Sequence, residues 1–324
     1  MTIPVLKIFA ETYPEVKITV VSRKFFEPLF KEVPNSYFVE ADVYGKHKGF
    51  GIFKLAKFLK NQQVDVVADL HNVIRSKILS KYLKFKGLKI ATIDKGRTEK
   101  KALTRLKNKK FIQLKTTHQR YADVFSKLGF QIDLSNYNPP KRKVLNSVSD
   151  SLIGKEPKKC IGIAPFAAFN SKMYPLHLMK EIIRNLNETN LYYIFLFGGG
   201  SKETAILNEL EKDFETVTNI AGKLTFEEEL AFISNLDCML SMDSGNAHLA
   251  AIYEIPVITV WGVTHPFTGF MPFNQPYKNA IVSDRKQYPL IPTSIYGNKF
   301  PEGYEHVMES ILPETIVEKI IEAV

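Results

Sequence analysis

Leu240 to Gly262, LSMDSGNAHLAAIYEIPVITVWG, restricts the fold more than any other stretch of the chain. An apolar run from Cys238 to Met242 ends at Asp243 and gives way to the small residues Ser244, Gly245 and Ala247. An alanine-rich helical segment follows from His248 to Tyr253, and a second apolar run, Val257 to Trp261, follows Pro256 and closes on Gly262. Strand, tight turn, helix, strand is a βαβ unit, and such a unit demands a parallel sheet. Its first turn is chemically distinctive. Backbone N–H groups at a helix start have no intrahelical partner and carry the positive end of the helix dipole, so the turn offers a seat for a phosphate. The same residues admit a purely structural role, with Asp243 as helix N-cap and His248 as a core histidine facing the sheet.

The alternation extends through the chain. The first half reads as a helix over Met1 to Tyr13, a β-branched strand over Val16 to Val21, a helix around Phe25 to Lys31 and a strand near Tyr37 to Val39. Then come a helix from Phe50 to Lys60, a strand over Val64 to Leu70, a helix from Arg75 to Lys84 and a strand over Lys89 to Ile93. A helix from Thr117 to Leu128 stops at Gly129. Loss of periodicity and the pair Pro139-Pro140 then place a domain boundary between Asn136 and Pro157. The second half restarts with strand Cys160 to Ala164, helix Leu176 to Asn187, strand Leu191 to Gly198, helix Lys202 to Lys212, a short strand near Val217 and helix Thr225 to Asn235. After the βαβ unit the chain is rich in Pro, Tyr and Asn until about Gly303, and a last helix runs from Pro313 to Val324. Two domains follow, 1–150 and 151–324, both Rossmann-like and facing each other across a cleft, with the last helix expected to pack back on the first.

Composition sets the outer bounds. With 324 residues and 45% hydrophobic content, the chain supports a core in each half. Its longest apolar runs, such as Tyr192 to Phe197, fall far short of the roughly 18 to 20 residues a membrane helix needs. No charged start precedes an apolar signal region, so the expected location is the cytoplasm. Two cysteines, Cys160 and Cys238, sit in strand segments and cannot make a disulfide framework or metal cluster.

Charge is unevenly divided. Residues 1–150 hold 30 Lys and Arg against 13 Asp and Glu, whereas residues 151–324 hold 14 against 21. The first half is therefore expected to meet something anionic: a nucleic acid, a phosphorylated acceptor or an acidic membrane surface. The densest stretch, Lys77 to Lys115, has few interleaved aromatics, which argues against a single-strand nucleic-acid platform.

In an open parallel sheet ligands bind at the carboxyl ends of the strands. In the second half the turns at such ends are Pro165 to Lys172, Gly198 to Glu203, Asp243 to His248 and Gly262 to His265, and all four are expected to converge on one crevice. Lys172, between the loop PFAAFNSK and Tyr174-Pro175, could bring an ammonium to a diphosphate, or could be a surface lysine. Gly198-Gly199-Gly200 is half of a dinucleotide fingerprint without its third glycine. Glu203 is placed to accept from a ribose hydroxyl or to solvate a helix start. The histidines show no metal-ligand spacing, and neither a GxSxG elbow nor a Walker lysine motif is present, which removes hydrolase and ATPase readings.

These motifs together resemble glycosyltransferase family 9, the ADP-heptose:lipopolysaccharide heptosyltransferases. The matching pieces are the loop to Lys172 with Tyr174-Pro175, FGGGSKE, the run Asn219 to Thr225, MDSGNAHLAA, and Trp261 to Pro266; in the first half, ADLHNVIRSK from Ala68 to Lys77 is similar as well. The resemblance implies the GT-B fold and an inverting transfer of heptose from ADP-heptose to a lipopolysaccharide core. It implies that Lys172, Asp243, Ser244, Gly245 and His248 surround the donor diphosphate, with Asp243 orienting the turn or binding sugar hydroxyls. It further implies that Glu203 meets the ribose, that Ala167, Ala168 and Leu224 line the nucleotide pocket, and that His71 and Arg75 face the acceptor. The implied partners are a nucleotide-sugar donor and an anionic, lipid-linked saccharide, with peripheral contact at the inner membrane and no nucleic acid. No cofactor and no metal are implied, because a lysine and a helix dipole would offset the leaving diphosphate.

The start of the chain departs from the family pattern. In the family a strand and a Gly-Asp loop precede a helix containing Thr-x-Pro-Val-Leu, and here Thr2-Ile3-Pro4-Val5-Leu6 stands at the very beginning. The resemblance thus assigns no general base, since that Asp would precede Met1. It also leaves the first domain without its first, central strand. About four or five buried side chains at ~1.5–3 kcal/mol each rival a domain's whole stability of ~5–15 kcal/mol. The expectation is that the natural protein begins earlier. Two rival functions stand beside the enzyme: a non-catalytic protein of the same fold that binds a sugar nucleotide or acceptor, and a nucleic-acid-binding protein.

Overall fold

The structure is a computed structural model that describes residues 1–324. In chain order the elements are α1 (Thr2–Thr12), β1 (Ile18–Ser22), α2 (Glu27–Phe30), β2 (Ser36–Glu40), α3 (Gly51–Asn61), β3 (Val66–Asp69), α4 (Ile74–Phe85), β4 (Lys89–Thr92), α5 (Arg97–Thr104) and α6 (Thr117–Leu128). There follow α7 (Ser147–Ser151), β5 (Lys159–Ala164), α8 (Leu176–Glu188), β6 (Tyr192–Leu196), α9 (Gly200–Glu211), β7 (Val217–Asn219), α10 (Phe226–Ile233), β8 (Cys238–Met242), α11 (Gly245–Ile252), β9 (Val257–Trp261), β10 (Ala280–Val282) and α12 (Pro313–Ala323). The chain forms two units: Met1–Arg97 with Lys115–Asn138, and Thr98–Leu114 with Pro139–Val324.

The second unit is built on a six-stranded parallel sheet in the order β10-β9-β8-β5-β6-β7. Strand residues from Cys160 to Ala164, and throughout β8 and β9, are buried, because helices cover both faces and leave no polar alternation to keep. The chain winds one way from β5 to β7, then returns to β8 on the other side of β5. The reversal between β5 and β8 is the switch point at which a crevice opens beyond the strand ends. The last helix belongs to this unit. Its Ile316 and Ile320 are fully buried in the main core, and α12 lies on α8, β8 and β9.

Sheet continuity is what the first unit lacks. It contains two separate parallel pairs, β1 with β2 and β3 with β4, and β1 and β3 do not pair with each other. Residues of β1 are all half-buried, in contrast to the sealed strands of the second sheet. One core joins β1 and β2 to α3 and α4 through Ile52, Leu55 and Leu59; another joins β3 and β4 to α6 through Ala91, Ile93, Val124 and Leu128. Helix α6 starts on a Thr116 cap, whose side chain accepts from Gln119 N–H, and ends on Gly129 at φ +110°, where glycine avoids the Cβ clash.

The segment Thr98–Leu114 joins the second unit, although it leaves the first-half sequence only to return to it. Lys109 Nζ donates to the carbonyls of Leu290 and Pro292, Leu114 N–H donates to Phe267 O at 2.9 Å, and the Arg285 guanidinium lies 3.5 Å over the Phe111 ring. Lys100 is buried, with its ammonium 4.2 Å from the centre of the Phe270 ring. Two cations of the dense basic stretch are therefore part of the packing of this strap, not of a solvated face.

Candidate functional site

At the switch point the sequence places two charged residues that local spacing cannot relate. The loop after β5 ends in a short 3₁₀ turn, Asn170–Lys172, and the turn after β8 carries Asp243. Lys172 Nζ stands 3.0 Å from Asp243 Oδ2, and both side chains are about nine-tenths buried. Thr264, past the end of β9, donates its hydroxyl to the same carboxylate oxygen at 3.0 Å. A buried ion pair is tolerated only when each charge finds its partner and further hydrogen bonds, and these residues supply both. Asp243 is thus not the helix N-cap. That position belongs to Ser244, whose side chain makes no cap bond, so the first N–H groups of α11 keep their donor capacity beside the pair.

These groups open on a cavity of about 300 Å³ lined by Ala168, Lys172, Asp243, Ser244, Gly245, His248, Phe270, Ile295 and Tyr296. Of the nine residues expected around a donor, the structure brings six to this one cavity. Ala167 instead packs against the main core, Leu224 is half-buried away from it, and Glu203 turns back on its own loop, where its carboxylate accepts from Gly199 N–H at 2.7 Å. Of the four turns expected to converge, the cavity takes residues from two, and Thr264 on a third supports them from behind. His248, a candidate for the core, is half-buried and faces the cavity.

Phe270, Ile295 and Tyr296 were not legible as site residues, because they sit on loops that carry no periodicity. Phe270 meets the Lys100 ammonium of the strap and the Tyr296 ring, whose centroid lies 5.9 Å from its own. The loop beyond Tyr296 also positions Lys172. Gly297, at φ +82°, lies directly against the lysine stem, and a Cβ there would overlap its methylenes; Ser171 donates its hydroxyl to Gly297 O.

In the first unit the corresponding loop follows β3. Asp69 is buried and accepts from the N–H groups of His71 at 3.0 Å and Asn72 at 2.8 Å and from the Ser76 hydroxyl at 3.1 Å. This carboxylate shapes the turn into α4, with Asn72 at φ +49°. His71 is exposed at the turn, and Arg75 lies over the Tyr44 ring at 5.6 Å. Partial burial, then the neighbouring Lys95, hold the His71 imidazole below its ordinary pKa. Lys95 is itself lowered, by burial and then by Arg97. Lys95 and Arg97 thus add to the cationic character of this loop. They stand just past β4, and the rule that ligands gather at strand carboxyl ends would have found them.

Known proteins align with this arrangement. The sequence profile of glycosyltransferase family 9 (heptosyltransferase) matches residues 52–296. The lipopolysaccharide core heptosyltransferase OpsX of Haemophilus influenzae is 27% identical over 281 residues, covering 85% of this chain and 77% of that protein. Among solved structures, a family 9 glycosyltransferase from Veillonella parvula superimposes with a TM-score of 0.74 at 16% identity, over 99% of this chain and 92% of that one. The E. coli heptosyltransferase WaaC, solved with ADP, gives 0.66 at 17% identity, over 100% and 95%.

Proposed function

The chain belongs to glycosyltransferase family 9, and from that premise we propose that it moves a heptose from ADP-heptose to the core saccharide of a lipopolysaccharide, inverting the anomeric carbon. The observation that carries this reading is the buried Lys172–Asp243 pair beside the uncapped start of α11, at the switch point of a parallel sheet. In the transfer, an acceptor hydroxyl oxygen bonds to the anomeric carbon as the bond to the diphosphate oxygen breaks, and the hydroxyl proton is lost to solvent. Negative charge then grows on the leaving diphosphate. The Lys172 ammonium and the N–H groups of Ser244, Gly245 and the residues after them offset that charge with one fixed cation and fixed dipoles. Asp243 would repel a phosphate at close range, so its work is to hold Lys172 in place and to accept from sugar hydroxyls.

His248 and Ala168 border the diphosphate and nucleoside, with Ala167 and Leu224 further along the nucleotide. Glu203, whose Oε2 accepts from Gly199 N–H, offers its Oε1 to a ribose hydroxyl. His71 and Arg75, with Lys95 and Arg97, receive the acceptor's phosphate and carboxylate groups. No divalent ion is required, since the lysine and the helix start supply the positive charge. The acceptor is lipid-linked, so the protein works in the cytoplasm against the inner membrane. No helix is long and apolar enough to cross a membrane.

The test is a donor screen by thermal shift joined to a transfer assay on heptose-free core lipopolysaccharide in the presence of a chelator. ADP and ADP-heptose should raise Tm, and heptose should appear on the acceptor. A shift with a different nucleotide sugar alone would overturn the donor. Retained ADP binding with no transfer would favour a binding protein of the same fold.

A further inference from the structure

We propose that the outer face of α3 and α4 in the first unit is a membrane-docking surface for an anionic lipid bilayer, an inference that rests on the lipid-linked acceptor proposed above. Helix α3 buries Ile52, Leu55, Ala56 and Leu59 on one side, at the spacing of a single helical stripe. Its opposite side is not polar in the usual way. Phe50 is 90% exposed and Phe53 and Phe58 are exposed as well; on α4, Phe85 is 84% and Ile74 78% exposed. Single exposed apolar side chains are ordinary on a protein surface, but Phe50, Phe53 and Phe85 are linked through Tyr82 and Lys86. Phe50 stacks on Phe53 with centroids 6.5 Å apart, Phe53 meets Tyr82 at 6.0 Å, and the Lys86 ammonium lies 5.7 Å from the Tyr82 ring and 5.5 Å from that of Phe85.

Charge completes the surface. Residues 43–64 and 70–88 carry ten Lys and Arg, every one exposed, and not one Asp or Glu. Lysine stems can lie along the rings while their ammonium heads reach anionic headgroups, and phenylalanine rings enter the boundary between headgroups and acyl chains. A second copy of the chain would bring cations against cations. A nucleic-acid duplex would take the lysines and leave Phe50, Phe85 and Ile74 in water. A bilayer containing acidic lipids takes both kinds of group at once.

The experiment is co-sedimentation of the full chain with vesicles of phosphatidylcholine, alone or with about 30 mol % phosphatidylglycerol. The expected result is binding to the acidic vesicles, little to the neutral ones, and loss of most binding near ~0.5 M NaCl. The pair Phe50→Ser and Phe85→Ser, at positions outside the cores, should lower the partition coefficient at least ~10-fold while Tm and ADP affinity stay unchanged. Lys57→Glu with Lys81→Glu should lower it comparably. Equal binding by the variants and the native chain would overturn the proposal, as would a single-stranded oligonucleotide that binds this face more tightly than the vesicles and displaces them. Transfer to a delipidated acceptor separates the two readings. A docking failure leaves that transfer intact, and a failure of the heptosyl reading leaves vesicle binding intact.

Discussion

The two units share an alternating βα plan and differ in how far it is carried through. In the second, six parallel strands share one sheet with a buried middle, and the charged pair sits where the strand order reverses. In the first, the strands stop at two pairs, Phe50, Phe53, Phe58 and Phe85 stand exposed on or beside α3 and α4, and most of the chain's positive charge resides in that half of the sequence. A continuous sheet can hold an ammonium against a carboxylate at fixed distance in a low dielectric, which differential stabilisation of a leaving group demands. A looser unit with a broad basic surface suits a bulky anionic acceptor, for which many weak contacts matter more than one geometry.

The sharpest way to break this contrast is at Lys172. Lys172→Ala should lower kcat by about 10²–10³ at saturating donor, and it also strands the Asp243 carboxylate in a buried place, so Tm should fall. The double variant Lys172→Ala with Asp243→Asn removes the stranded charge. If it regains Tm but not turnover, the ammonium acts on the reaction; if turnover returns with Tm, the pair is only structural and the rigid unit loses its claim to chemistry.

Gly297→Val is expected to act next most strongly. A β-branched residue at φ +82° is strained by ~1–3 kcal/mol, and its side chain would push on the Lys172 stem. Donor affinity and kcat should both fall, with the Tm loss read by calorimetry. A variant with normal kinetics would show that the Tyr296 loop does not set the lysine. Hydrogen exchange then compares the units directly. Amides of β5, β6 and β8 should be protected at least ~10-fold more than those of β1 and β3, which have one unpaired edge each. Equal protection would erase the distinction.

Acid gives the smallest effect and one common to both units. Burial holds His265 at about 4 in the second unit and His118 at about 3 in the first, against an ordinary 6.5. Between those limits the unfolded chain binds more protons than the folded one, so stability falls as pH drops from ~6.5 towards ~4. His265→Asn, which can still accept from Phe267 N–H, should flatten part of that slope in Tm against pH. An unchanged slope would mean that His265 is not buried as a neutral ring.

Much of the second unit was legible because its strands are unbroken apolar runs and its helices carry clear stripes. The βαβ stretch placed Asp243 and α11. Pairing across distance was not legible. Nothing in spacing says that Lys172 meets Asp243 or that Glu203 bonds its own turn, because those contacts depend on how strand ends are set side by side. Helix α5 was unread for a related reason. RTEKKALT has no apolar stripe, only Leu103 and the stem of Lys100 are buried, and it is held by partners such as Phe270 that lie far along the chain. The three-residue strand β10 falls in the Pro- and Tyr-rich tail, where its pairing with β9 alone identifies it.

The strap from Thr98 to Leu114 has a practical corollary for anyone who would dissect this enzyme. A gene fragment opening at Pro139 would carry every strand of the six-stranded sheet yet leave Phe267, Phe270 and Arg285 stripped of the rings, amide and ammonium groups that lie on them. Severing this protein into working halves calls for grafting the 98–114 loop back by a linker, not for a single cut.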